Sequence, residues 1–290
     1  MADDPLKRYP RPPFEAQAQG FPGKTGRMSP EPDHGEDSYK GSGRLAGKVA
    51  IVTGGDSGIG RAVAIAYARE GAHVALSYLD EHEDAEAVKG WVEKAGRRCL
   101  LLPGDMAAAS HCRDMVEKTM SAFGAIDVVV NNEAFQQPNE GLEGIDDAVF
   151  EKHFRVNVFA PFYLTKAALK HMKPGGSVIV TSSVNSKRPM PTLFAYSATK
   201  GALSNMVLGL AGLLAEKGIR VNGVLPGPIW TPFIPAGMDD ASVKTFGSNV
   251  PYGRPGQPAE LAPAYVMLAS DESSYTSGAL VVIAGGMVVF

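Results

Sequence analysis

Tyr196 and Lys200 stand four residues apart in the run Tyr196-Ser-Ala-Thr-Lys200, and Ser183 ends an apolar run thirteen positions before the tyrosine. Positions four apart share one face of a helix, so the phenol and the ammonium can meet. A free phenol has a pKa of about 10, and a nearby ammonium typically lowers such a group by roughly 1 to 3 units, toward the range where acid/base catalysis works. Tyr196 is therefore a candidate general acid/base. A tyrosine and a lysine at this spacing also occur on helices that do no chemistry, so the pair needs support from elsewhere in the chain.

That support lies far upstream. The apolar run Lys48-Val-Ala-Ile-Val-Thr53 leads straight into Gly54-Gly55-Asp56-Ser57-Gly58-Ile59-Gly60, followed by a helical pattern from Arg61 to Glu70. A strand, a glycine turn and a helix N-terminus form a phosphate-binding device, because glycines let the backbone approach a pyrophosphate while free N–H groups and the helix dipole face it. The spacing TGxxxGxG, joined to Ser183, Tyr196 and Lys200 at these separations, resembles the short-chain dehydrogenase/reductase family.

The resemblance runs from about Leu45 to Gly286 and implies roles for particular residues. Gly54, Asp56, Ser57, Gly58, Ile59 and Gly60 match the dinucleotide turn, and Tyr78 and Leu79 end the second strand beside the adenosine ribose. Asp105, with Met106 beside it, matches the adenine-contacting aspartate, and Asn132 belongs to the Asn-Asn element after the fourth strand. Asn157 matches the helix asparagine that holds a water in a proton relay to the lysine. Pro226, Gly227, Ile229 and Thr231 match the segment that holds the nicotinamide carboxamide. In the implied mechanism Ser183 binds the substrate oxygen and Tyr196 gives or takes its proton, while Lys200 lowers the tyrosine pKa and binds the ribose hydroxyls. More narrowly, Pro32-Asp33-His34-Gly35-Glu36 and Gly256-Gln257-Pro258-Ala259-Glu260 resemble a bacterial general-stress-type oxidoreductase branch with an N-terminal extension. Two positions depart from the family pattern: Glu133 stands where alanine is usual, and Ala284 where an Asp or Asn commonly precedes two glycines. A carboxylate at 133 is expected to point into the cleft or bend away to water, and to repel a pyrophosphate if ionised.

The order of elements agrees without help from the family. Apolar, β-branched or Leu-rich runs at 48 to 54, 73 to 79, 98 to 104, 126 to 132, 176 to 182, 219 to 225 and 279 to 284 read as strands. Helical patterns fall between them at 59 to 70, 81 to 95, 107 to 123, 146 to 172, 194 to 217 and 257 to 270. Continuous apolar strands suit a parallel sheet covered on both faces, so the expected fold is α/β, a single doubly wound Rossmann sheet of seven strands flanked by helices, with the ligand at the strands' carboxyl ends. The expected division is a proline-rich extension over 1 to 43 and a Rossmann-fold dehydrogenase domain over 44 to 290. The extension has neither helical nor strand periodicity and cannot fold alone, but Phe14, Phe21, Met28 and Tyr39 give it apolar anchors for partial docking.

At 290 residues and formal charge −3, the chain carries no basic bias that would suit nucleic acid. Its two cysteines, Cys99 and Cys112, show no metal-ligand spacing and read as core or helix residues, so no metal is expected. No signal segment or apolar run near the roughly 20 residues of a membrane span stands out, which leads to a cytoplasmic expectation with no membrane partner. The long apolar helices at 146 to 172 and 194 to 217 exceed what one sheet face needs, and the resemblance implies a homotetramer paired through them. Ser57 and Leu79 stand where NADP-binding members usually carry Arg or Lys, and Asp56 adds negative charge, so NAD is the expected cofactor; Arg61 is the counter-argument for NADP. The apolar loop from Thr231 to Phe246 suits an uncharged alcohol, aldehyde or ketone. Alternative readings are an epimerase or dehydratase of the extended branch, disfavoured by the glycine spacing, and a non-catalytic cofactor-binding stress or scaffold protein, which the departures at Glu133 and Ala284 keep open.

Overall fold

Seven short apolar runs lie side by side as one parallel sheet in the computed structural model, which describes residues 4–289. The first three residues of the expected extension and the last of the expected domain fall outside that range. Along the chain the elements are β1 (Val49–Val52), α1 (Gly58–Arg69), β2 (His73–Tyr78), α2 (His82–Lys94), β3 (Cys99–Pro103), α3 (Ala109–Phe123), β4 (Val128–Asn131), α4 (Asp147–Phe154), α5 (Ala160–Ala168), β5 (Ser177–Thr181), α6 (Phe194–Leu214), β6 (Arg220–Pro226), α7 (Phe233–Gly237), α8 (Asp240–Lys244), α9 (Pro258–Ala269) and β7 (Leu280–Ile283). The sheet order is β3-β2-β1-β4-β5-β6-β7, so the direction of winding reverses between β1 and β4. In open α/β sheets that reversal opens a crevice at the strands' carboxyl ends.

Alternation along each strand divides the core in two. Ala50, Val52, Val74, Leu76, Val128 and Val130 join α1, α2 and α9 on one face, whereas Ile51, Ala75, Val129, Val178 and Val180 join α3, α5 and α6 on the other. With both faces covered, the strands need apolar residues at every position, which is why they read as continuous runs.

Two expected helices differ in detail. The span expected over 146 to 172 begins at Asp146, whose carboxylate accepts from the amides of Ala148 and Val149, but it is interrupted after α4 by a π-turn over Arg155–Phe159. There the Ala160 N–H donates to the Arg155 carbonyl, five residues back. Pro161 has no N–H to offer the carbonyl of Asn157, so a regular α-helical ladder cannot be completed through this point. The other, expected over 194 to 217, ends its α-helical part at Leu214 and closes with a tight turn at Gly218, which adopts φ +65°.

The stretch Pro191–Lys217 is long and apolar enough, by length and composition, to cross a bilayer, contrary to the reading that no run came near. Tyr196, Lys200, Leu203 and Val207 on this stretch are buried against the sheet side, and Leu208 and Leu213 face outward.

The N-terminal segment lies on the body of its own chain. Phe14 stacks on Trp230 with ring centroids 4.2 Å apart, and the Trp230 indole N–H donates to the Pro30 carbonyl at 2.8 Å. Phe14, Met28, Trp230, Ile234 and Val243 make a small third core. Further along, Glu36 pairs with Arg61 at 2.8 Å, and the buried carboxylate of Glu70 pairs with Arg44 at 2.7 Å.

Candidate active site

The crevice is a cleft of about 530 Å³ at the carboxyl ends of the strands. Its floor begins with the turn after β1. Gly54 and Gly58 adopt φ +56° and +50°, a left-handed backbone that favours glycine. At Gly60 a Cβ would lie 1.9 Å from the Gly54 carbonyl oxygen, so any side chain there would close the turn. Ser57 stands at the helix N-terminus without capping the amides of α1 through its side chain, leaving them to face an anion. Such a cradle, filled by any Cβ, fits the pyrophosphate of a dinucleotide.

At the end of the cleft beside β2 and β3, Asp56, Tyr78, Leu79, Glu81, Asp105 and Met106 line the wall. Asp105 accepts from the Ala107 amide at 2.8 Å, which fixes the strand-to-helix turn. Glu81 accepts from the amides of Leu79 and Asp80 at 3.1 and 2.9 Å, so its carboxylate is held where the second strand ends. Burial, then the nearby charge of Glu81, pushes the Asp56 carboxyl up to about 7. The negative charge expected at Asp56 is thus only partly present at neutral pH. Arg61, the candidate for a 2′-phosphate, is committed to Glu36 of the N-terminal segment and is not among the residues lining the cleft.

At the other end, beside β5 and α6, Ser183, Tyr196 and Lys200 line the same cleft. Ser183 follows β5 and accepts from the Asn185 amide at 3.1 Å, which orients its hydroxyl. Tyr196 and Lys200 share a face of α6, with Lys200 Nζ 5.4 Å from the tyrosine ring centroid. The expected lowering of the phenol pKa by this lysine is corrected here. Burial dominates and pushes Tyr196 up to about 12, with the Ser183 hydroxyl acting in the lowering direction. Lys200 donates to the Thr181 carbonyl at 2.8 Å, and its own burial pushes it down to about 8, weakening its charge.

Asn157 is held by three side-chain hydrogen bonds. Its amide donates to the Phe135 carbonyl at 2.9 Å and the Thr199 hydroxyl at 3.0 Å, while its oxygen accepts from the Phe135 amide at 2.7 Å. The side chain is a clamp between the loop after β4 and α6. Asn132 bridges three strands: it donates to the Thr53 and Gly54 carbonyls and accepts from the Thr181 hydroxyl at 3.1 Å.

Glu133 neither enters water nor stands free in the cleft. It is 9% exposed, and one carboxylate oxygen accepts a short hydrogen bond from the Thr53 hydroxyl while the other has no partner among the described residues. Burial pushes this carboxyl up to about 7, with the attraction of Lys200 among the opposing effects. The repulsion expected of a full charge is therefore reduced at neutral pH. Ala284, the other departure, packs on the Pro226-Gly227 turn: a Cβ on Gly227 would lie 2.8 Å from the Ala284 Cα. Pro226, Gly227, Ile229 and Thr231 all line the cleft, and Ile229 is pinned by a bridge to Gly256.

Three groups escaped the sequence reading. Thr53 stood in the motif without a role, and Gln136 stood in an irregular loop. Phe21 and Pro22 come from the N-terminal segment yet line the cleft, which no local pattern announces.

Comparison with known proteins fits this geometry. A family model described as enoyl-(acyl carrier protein) reductase matches residues 54–288. The chain is 49% identical over 268 residues to the uncharacterized oxidoreductase YhdF of Bacillus subtilis, covering 92% of this chain and 93% of that protein. It is 47% identical to general stress protein 39 of the same organism, covering 98% and 99% of the two chains. Among solved structures, a short-chain dehydrogenase from Burkholderia cenocepacia in complex with NADP superposes with a TM-score of 0.79 at 33% identity, over 84% of this chain and 98% of that one. With a phosphate cradle, a Ser-Tyr-Lys set in one cleft and relatives matched over nearly their whole length, the chain belongs to the short-chain dehydrogenase/reductase family of oxidoreductases.

Proposed function

We propose that this protein interconverts an alcohol and the corresponding aldehyde or ketone, with Tyr196 as general acid/base. The observation that carries the reading is the placement of the Ser183 hydroxyl, the Tyr196 phenol and the Lys200 ammonium in one largely apolar cleft beside the glycine cradle. A bound nicotinamide dinucleotide supplies or accepts the hydride. Gly54, Gly58 and Gly60 give the pyrophosphate backbone room, Asp105 and Met106 bound the adenine side, and Ile229 and Thr231 stand where the carboxamide belongs. Ser183 orients the substrate oxygen, and the Tyr196 hydroxyl donates a proton to it in reduction or takes one in oxidation. Because burial holds Tyr196 protonated up to about 12, the resting enzyme is poised as an acid, ready for carbonyl reduction. Lys200, lowered to about 8, can pass between charged and neutral forms near physiological pH and so exchange the proton behind the tyrosine.

NAD is the preferred dinucleotide in this reading, on the strength of Asp56 and Glu81 at the ribose end and of Arg61 being paired elsewhere. The NADP complex of the Burkholderia relative sets the contrast. Following NADH and NADPH absorbance during a screen of carbonyl compounds tests both points: reduction with NADH at the lower KM supports the assignment, and turnover with NADPH alone overturns the cofactor choice. We further infer assembly of identical subunits through the outer faces of α5 and α6, where Phe162, Leu208 and Leu213 are exposed. Light scattering that finds a monomer at micromolar concentration would rule this out.

A further inference from the structure

Glu133 lies just beyond β4, where the glycine cradle meets the Ser183, Tyr196 and Lys200 set. A Cβ on Gly54 would lie 3.3 Å from the Glu133 Cα, and Glu133 lines the same cleft as Lys200. Thr53, Asn132 and Thr181 join the two groups. The Thr53 hydroxyl contacts the Glu133 carboxyl and accepts from the Asn132 amide at 2.9 Å. The Asn132 side chain accepts from the Thr181 hydroxyl at 3.1 Å, and the Thr181 carbonyl accepts from Lys200 Nζ at 2.8 Å. Glu133 and Lys200 thus belong to one buried polar network across the ends of β1, β4 and β5.

The network favours a proton on Glu133. In the ionised form one oxygen accepts from Thr53, and the other, Oε1, has no donor among the described residues. A buried carboxylate oxygen without a donor is costly, and protonation removes the charge that makes it so. The bond to Thr53 then runs the other way, from carboxyl to hydroxyl, and the threonine proton turns to the Val130 carbonyl at 3.1 Å. Burial pushes Glu133 up to about 7 and Lys200 down to about 8, so the two change charge in neighbouring pH ranges. The other titratable groups around Glu133 do not. On α6 burial pushes the Tyr196 phenol up to about 12, and on α3 burial and then the charge of Glu133 itself push the Cys112 thiol up to about 12. Asp105 is turned to the Ala107 amide, and Asp56, beside β2, is raised by burial and by Glu81.

We propose that Glu133 is a positioning residue for the reaction and acts through Lys200. It holds a proton in the resting protein. Once that proton has gone to solvent, the carboxylate keeps Lys200 in its charged form to higher pH. Without Glu133 the lysine loses its own proton earlier, and Tyr196 loses the group that resupplies it. This rests on the oxidoreductase reading and adds to it the residue that sets the working pH.

The test is the pH profile of kcat in both directions. In reduction Tyr196 regains its proton from charged Lys200, so kcat falls as pH rises through the range in which the lysine titrates. In oxidation the lysine must be neutral to take the proton, so kcat rises there. Glu133→Gln should move both limbs down by about one pH unit, with the plateaus changed by less than about 3-fold. A purely structural role would change the plateaus and leave the limbs in place, and unmoved limbs overturn the proposal. If Glu133→Gln does not fold, Glu133→Ala, with the residue usual in the family, takes its place with the same expected shift. The coupling is also read without turnover, by a double-mutant cycle of Glu133→Gln and Lys200→Met in denaturant. The midpoint shifts should be non-additive at pH 7.5, where the two charges coexist, and additive at pH 5, where Glu133 is neutral. If no carbonyl compound is turned over at all, the oxidoreductase reading has failed on its own account and this cycle decides alone: additivity at both pH values sinks the coupling.

Discussion

The motif-bearing strand ends and the N-terminal segment face each other across one cleft, yet they reach it by opposite routes. Thr53 to Gly60, Ser183 and Tyr196 to Lys200 are placed by local structure: strand, turn and helix follow from their own residues, and the side chains arrive at the crevice by position alone. Phe21 and Pro22 have no regular element around them. They arrive because Phe14 stacks on Trp230 behind them and Thr25 is tied to Asp84 ahead of them. The contrast teaches that the Ser183, Tyr196 and Lys200 set is placed by the sheet and its crossovers, whereas part of the cleft wall is borrowed from a docked segment. One should break by loss of turnover and the other by loss of fit.

Tyr196→Phe gives the largest expected break. It removes the proton donor and keeps the ring against Phe233, so turnover should fall at least ~100-fold in a folded protein. Steady-state kinetics with unchanged circular dichroism checks this, and near-normal turnover removes Tyr196 from the mechanism. Phe14→Ala should break the other region: removing a 7% exposed ring stacked on Trp230 should cost about 3 kcal/mol and free residues 14–28 for proteolysis. Melting temperature and limited trypsin cleavage at Lys24 or Arg27 read the effect. An unchanged cleavage pattern would mean that the segment is held by its polar ties alone.

Glu133→Gln sharpens the picture at the reaction end through pH. The folded-state pKa of Glu133 is raised from 4.5 to about 7, so the folded protein keeps a proton that the unfolded chain releases. Its effect on stability is therefore most favourable below about 4.5, is lost as pH rises toward 7, and levels off above that. The glutamine variant keeps an acceptor for Thr53 and carries no charge. It should match wild type near pH 4.5 and exceed it by about 1 to 3 kcal/mol at pH 8. Denaturant titrations across this range decide it, and parallel curves would show that the carboxyl ionises without penalty. The smallest effect is expected from Asp56→Asn, which removes charge at the ribose end. The NADPH to NADH ratio of kcat/KM should rise by about 3- to 10-fold, with the shift shrinking at high salt. An unchanged ratio assigns the cofactor choice to other residues.

Glycines and apolar runs made the sheet legible, because a strand covered on both faces leaves no choice but continuous Val, Ile and Leu. All seven strands fall at the expected places, β6 running one residue past its span to Pro226, and the expected helices do so too, except where Pro161 interrupts the one between β4 and β5; the short α7 and α8 were not foreseen. Site residues at strand ends and on α6 were equally legible, since period and position fix where they point. Protonation was not. The sequence suggested that Lys200 would acidify Tyr196, but pKa values follow desolvation, and burial depth is a property of packing. The same holds for Glu133, whose partner Thr53 lies 80 residues away in sequence and is neighbour to it only because β1 pairs with β4.

What the sequence by itself determined, then, is the order of strands and helices, the cradle after β1 and the arrival of Ser183, Tyr196 and Lys200 at the strands' carboxyl ends. Each follows from residue type, short spacing or hydrophobic period, all of which act within a few residues. Only the tertiary structure decided that Asn157 clamps Phe135, that Arg61 is spent on Glu36, that Gln136 is left without an acceptor and that the N-terminal segment walls the cleft. Those outcomes depend on which distant surfaces meet and how much water they exclude, and no local pattern carries that information.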